Sequence, residues 1–70
     1  MTPSLLREIG EALWGPRWQS EMARQRGVAI RTVQRWSSGS HPIPGDLWAE
    51  LACDIRGREL TLRALFKRLA

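Results

Sequence analysis

Seventy residues make one domain near the lower limit for a self-sufficient hydrophobic core. An apolar content of 43% is that of a globular chain rather than a disordered one, and a single cysteine, Cys53, excludes an intramolecular disulfide and a cysteine-based zinc site. The net charge of +4 is concentrated between Arg17 and His41, where five arginines stand against one acid, Glu21, while elsewhere six bases cancel six acids.

Thr2-Pro3 is a hydroxyl N-cap followed by proline at the first helical position, so a helix is predicted to open there. Leu5, Leu6, Ile9 and Leu13 recur at helical spacing as its buried face, and Gly15-Pro16 ends it. A second helix is predicted from about Arg17 to Arg26 with Trp18, Met22 and Ala23 inward, and Gly27 breaks it. A third runs from about Ile30 to Ser37, with Ile30, Val33 and Trp36 on one side. The SSGSHPIPG stretch is a turn-rich connection. A further helix is expected to start near Pro44, with a stripe of Leu47, Trp48, Leu51, Ala52 and Ile55. Gly57 marks a break or kink, or the middle of one long bent helix. Beyond it Leu62, Leu65, Phe66 and Leu69 form a last amphipathic stripe. No alternating pattern is long enough for a strand, so the expected fold is all-α, a compact domain of four to five helices.

Cys53 lies among apolar residues and is expected to be a small buried hydrophobe. Trp36 is expected in the core. Trp18 either packs there or donates its indole N–H to a phosphate, and Trp14 and Trp48 serve a core or an interface. Asp46, Glu50 and Asp54, four apart, read as a solvated acidic stripe, and Arg63 and Lys67 as a solvent-facing basic pair. His41, the only histidine, reads as an uninvolved surface residue. No apolar run approaches a membrane span and no signal-peptide pattern opens the chain, so a soluble, cytoplasmic protein is expected.

A positive field confined to one segment suits a phosphate-binding surface, because neutralising phosphates releases condensed counterions. From Met22 to Gly45 there is no carboxylate, and ten of the eleven basic residues are arginine, the side chain suited to bidentate contacts with phosphate or guanine. Within the segment, the spacing Gln19-x3-Ala23-x3-Gly27-x5-Val33-x2-Trp36, with Val28 and Ile30 between, resembles the helix-turn-helix of the Cro/repressor (XRE-like) family of phage and bacterial transcriptional regulators. Each position has a mechanical reason. Ala23 is small where two helices cross, Gly27 takes a positive φ in the turn, and Val28, Ile30, Val33 and Trp36 hold the third helix down. The stretch Arg35-Trp36-Ser37-Ser38-Gly39 followed by Pro42-x-Pro44 is similar to the segment after the recognition helix in small regulators of this kind.

The resemblance implies a lambda-repressor-like domain over residues 1–70, with the helix-turn-helix at about 17–37 and helices at 44–69 serving core and dimerisation. It implies that Arg31, Thr32, Gln34 and Arg35 face base edges in the major groove of double-stranded DNA. Arg17, Gln19, Ser38 and Ser40 would contact phosphates, together with the backbone after Gly39. Two positions depart from the pattern: Arg26 fills a usually apolar slot, its stem packing while its head reaches solvent, and Ala29 stands where a capping serine or threonine is common. The function so implied is sequence-specific DNA binding by a homodimer that represses transcription through operator occupancy, without cofactor, metal or small-molecule substrate. Leu60 to Leu69 is the expected dimer surface. An antitoxin, an architectural recombination or packaging accessory, and a protein-interaction module remain as alternatives. An enzyme is disfavoured because one histidine and one cysteine in unrelated segments make no catalytic set.

Overall fold

The computed structural model describes residues 2–70, and their regular structure is entirely helical. Helix α1 spans Pro3–Trp14, a single 3-10 turn covers Gly15–Arg17, and α2 (Trp18–Arg26), α3 (Ile30–Ser38) and α4 (Gly45–Leu69) follow. The start of α1 is the one the sequence dictates: the Thr2 side chain accepts from the Leu5 N–H at 3.2 Å and Pro3 occupies the first turn. Gly27 ends α2 with φ +68°, and the Val28 N–H reaches back to the Ala23 carbonyl at 3.0 Å. This is a Schellman closure, in which a glycine in the left-handed region satisfies the last carbonyls of the helix.

Nine apolar side chains form the core: Leu6 and Leu13 from α1, Trp18, Met22 and Ala23 from α2, Val33 and Trp36 from α3, and Leu47 and Leu51 from the start of α4. Leu6, Met22, Val33 and Leu51 are fully buried, each stabilising the fold by roughly 1.5–3 kcal/mol relative to exposure. Trp14 and Trp48 are half-buried against this cluster, as are Ile9, Val28 and Ile43. Gly10, inside α1, is buried because the Trp18 indole lies directly on it. Trp18 is thus a packing residue.

Several expectations need correction. The described residues hold four α-helices, and of the two readings left open beyond Pro44 it is the single helix that is found, continuous over 25 residues, not a pair broken at Gly57. Gly57 does not break it: the Thr61 hydroxyl donates to the Gly57 carbonyl at 3.1 Å, and Glu59 takes Arg56 at 3.6 Å and Arg63 at 3.0 Å. Such i,i+3 and i,i+4 pairs and good helix formers on both sides outweigh the ~1 kcal/mol propensity deficit of one glycine. Nor is the domain compact throughout, since it measures 45 × 21 × 21 Å with the C-terminal half of α4 standing clear. Leu5, Ile30, Ala52 and Ile55, expected to face inward, are exposed. Cys53 is exposed as well, because it lies on α4 where the helix leaves the core. Among the described residues, no helix is long and apolar enough to cross a membrane.

The N-terminus of α3 has no side-chain cap, since its N-cap is Ala29, in extended conformation. The Thr32 N–H already returns to the Ala29 carbonyl at 3.0 Å, so the hydroxyl of an Ala29→Ser substitution would serve the Arg31 N–H, the other donor an N-cap side chain can reach. The expected gain is ~1 kcal/mol, which raises the melting temperature by roughly 4–8 °C for a domain of this size. Thermal unfolding followed by circular dichroism checks it, and an unchanged midpoint would mean that the end of α3 is already satisfied.

Candidate nucleic-acid interface

Helix α3 has two sides of opposite character. Val33 and Trp36 are buried, with Thr32 and Ser37 half-buried on the flanks. Arg31, Gln34, Arg35 and Ser38 recur at i, i+3, i+4 and i+7 and are all exposed. That spacing puts them on one stripe of the helix, opposite the side that Val33 and Trp36 anchor. Four of the expected contact residues are therefore brought together. Thr32, assigned to base edges by the resemblance, lies at the edge of this stripe and is partly covered.

A second cluster forms where α2 begins and α3 ends. The Gln19 amide Nε2 donates to the Ser37 hydroxyl at 3.0 Å, and that hydroxyl donates to the Gln34 carbonyl at 3.0 Å. This pair of bonds ties the first turn of α2 to the last turn of α3, and it fixes one of the two Gln19 amide hydrogens. Arg17 is exposed two residues before Gln19, in the 3-10 turn. Ser38 and Ser40 are exposed on the other side of the junction, their hydroxyls 2.8 Å apart, and the Ser38 hydroxyl also meets the Arg35 carbonyl at 3.2 Å. The backbone beyond Gly39 is already engaged: the Ser40 and His41 N–H groups both return to the Arg35 carbonyl, at 3.0 and 3.3 Å. Those two amides therefore have no hydrogen free for an external acceptor, and the polar groups this junction offers outward are the side chains of Arg17, Gln19, Ser38 and Ser40.

The electrostatics are more focused than the sequence suggests. Two of the five arginines are spoken for within the fold. Arg24 pairs with Glu21 at 2.6 Å on the exposed side of α2. Arg26 is largely covered and forked between Glu50 and Asp54 of α4, one guanidinium nitrogen to each carboxylate. Its head does not reach open solvent, and Glu50 and Asp54 are not a free acidic stripe. The two features are halves of one clasp that fastens α4 to α2, a planar fork meeting two carboxylates. Among the described residues, Arg17, Arg31 and Arg35 have no carboxylate within ion-pairing distance. The free positive charge of the segment therefore lies on the α3 stripe and at the head of α2.

Ser37 and the Arg26 clasp were not legible in the sequence. Ser37 acquires a role only when Gln19, eighteen residues earlier, is folded against it, and Glu50 and Asp54 meet Arg26 across more than twenty residues. No protein family, no curated protein and no solved structure matches this chain. The geometry of the site stands on its own residues.

Proposed function

We propose that α2, the turn at Gly27–Ala29 and α3 act as a helix-turn-helix that binds double-stranded DNA sequence-specifically, in the manner of the Cro/repressor-like regulators. The observation that carries this reading is the exposed stripe Arg31, Gln34, Arg35 and Ser38, free of carboxylates and rigidly backed by Val33 and Trp36. Arginine forks to guanine O6 and N7, and a glutamine amide matches adenine N6 and N7, so this stripe holds the side chains that read a major groove. Arg31 and Arg35 are the principal base readers, with Gln34 between them and the Thr32 methyl at the margin. Arg17, Gln19, Ser38 and Ser40, gathered at the junction of α2 and α3, would hold the phosphate backbone and set the register. Gln19 would do so with its remaining amide hydrogen.

In this reading the protein acts in the cytoplasm of a bacterial cell as a transcriptional repressor. A homodimer covers two half-sites and excludes the polymerase, with no chemistry and no cofactor. One α3 stripe reads only a few base pairs, and pairing on a palindrome supplies the missing specificity.

Selection from a randomised duplex pool at two salt concentrations tests the proposal. The expected result is an enriched palindromic motif whose affinity falls steeply with salt, because phosphate contacts release counterions. Salt-dependent binding with no enriched motif would replace sequence-specific regulation by architectural DNA binding. Absence of binding at both salts would overturn the proposal and assign the arginine stripe to an acidic protein.

A further inference from the structure

Ser37 lies on the flank of α3, half-buried between the core side and the exposed stripe, and no DNA contact falls to it. Its hydroxyl is nevertheless the middle of a chain of two hydrogen bonds. The Gln19 Nε2–H donates to Ser37 Oγ, and Ser37 Oγ–H donates to the Gln34 carbonyl, each at 3.0 Å. The direction of that chain has a consequence for Gln19. A serine hydroxyl has one hydrogen to give, and here the Gln34 carbonyl takes it. Toward Gln19, Ser37 Oγ can then act only as an acceptor. With its nitrogen facing Ser37, the Gln19 amide makes both bonds possible. Turned over, it would set Oε1 against Oγ, and the hydroxyl would have to leave Gln34 in order to donate to it. One bond would be lost in a half-buried place, where an unpaired polar group is costly.

We infer that Ser37 is a positioning residue for phosphate recognition: by committing its hydrogen to Gln34, it fixes which way round the Gln19 amide stands and so presents an N–H to a backbone phosphate. This rests on the DNA reading proposed above and deepens it. A phosphate oxygen accepts hydrogen bonds and donates none, so it is attracted by the amide nitrogen and repelled by the amide oxygen. A half-turn of the last side-chain bond exchanges the two in an unrestrained glutamine. Ser37 removes the repelling arrangement before DNA arrives, which lowers the ordering cost of binding. The carbonyl that holds Ser37 belongs to Gln34, a member of the base-reading stripe. One hydroxyl therefore sets the clamp on α2 in register with the reading helix α3. Since glutamine is neutral, the contact neutralises no phosphate charge and adds affinity without steepening the salt dependence, unlike a contact from Arg17.

Two measurements on the full chain test this, one of them without DNA. Hydrogen exchange of the Gln19 side-chain amide, followed by nuclear magnetic resonance, is expected to show one of its two hydrogens protected in the wild type and in Ser37→Thr, and neither in Ser37→Ala. Titration against the selected and scrambled duplexes is expected to show Ser37→Ala weakening both by one common factor of roughly 2- to 10-fold, the range of a single hydrogen bond. The slope of log affinity against log salt should not change. Gln19→Ala should give a similar loss and the double variant no further loss, because Ser37 acts through Gln19. Ser37→Thr, which keeps the hydroxyl, should bind as the wild type does. Equal exchange of both Gln19 hydrogens in the wild type would overturn the proposal, as would losses that add in the double variant. A Ser37→Ala chain that melts lower yet binds both duplexes undiminished would also overturn it and leave Ser37 a structural tie. Each of these results leaves the DNA reading standing. A wild-type chain that binds neither duplex overturns the DNA reading, and the phosphate ligand named here falls with it.

Discussion

Arg31→Ala is expected to weaken binding to the selected duplex by about 5- to 150-fold, the equivalent of the roughly 1–3 kcal/mol carried by a specific arginine–guanine contact. The loss should be confined to duplexes with the preferred base at one position of each half-site, and discrimination there should relax. Arg35→Ala is expected to behave in the same way at a different base pair, because the two residues stand one turn apart on the exposed stripe. Neither change should lower the melting temperature appreciably, since both side chains project from α3 and neither joins an ion pair among the described residues. Arg17→Ala serves as the contrast. Loss of a phosphate contact weakens all duplexes about equally and reduces the slope of log affinity against log salt by about one. Titration of each variant against the selected duplex and a scrambled one, at several salt concentrations, separates the two behaviours. If Arg31→Ala and Arg35→Ala weaken both duplexes equally, the arginines only position the protein and the assignment of base reading to α3 fails.

The largest expected effect on stability comes from Gly10→Ala. A Cβ at position 10 would lie 2.3 Å from Cε3 and 2.6 Å from Cδ2 of Trp18, distances at which something must move. The indole is a rigid ring held in the core, so α1 and α2 would have to separate. Overpacking of this kind costs about 1–3 kcal/mol, more than the ~1 kcal/mol that alanine gains over glycine in a helix. The melting temperature should therefore fall by several degrees and with it the fixed placement of α2. Gly57→Ala is the matched control, because a Cβ there meets nothing within 4 Å and the helical gain should appear as a rise. The same substitution is thus expected to have opposite signs at the two positions. A rise at both would mean that α1 and Trp18 are not in close contact.

The close packing at Gly10 and the role proposed for α3 are linked through Trp18. Trp18 is the first residue of α2, Gln19 follows it, and the Gln19 amide holds Ser37 in the last turn of α3. A displaced indole would move the donor that secures the end of the exposed stripe. Preorganisation of that stripe therefore depends on a glycine in α1, a helix that carries no proposed DNA contact of its own.

Local chemistry was sufficient for much of this protein. The Thr2-Pro3 cap, the stop at Gly15-Pro16, the turn at Gly27 and the inward set Leu6, Leu13, Met22, Val33 and Trp36 all follow from residue type and helical spacing, and the structure agrees with each. The outward stripe of α3 was legible for the same reason: once Val33 and Trp36 face the core, a period of 3.6 residues sends Arg31, Gln34 and Arg35 to solvent. What the tertiary structure alone decided involves partners distant in sequence or a missing neighbour. Arg26 left the basic surface because Glu50 and Asp54 reach it across more than twenty residues, a meeting that no local spacing encodes. Gly10 became indispensable only when Trp18 was laid against it. Helical periodicity marks Ile55, Leu62, Leu65 and Phe66 as one face but cannot say whether anything covers it. Helix α1 ends at Trp14, and beyond its reach α4 keeps its apolar face with no element among the described residues to bury it.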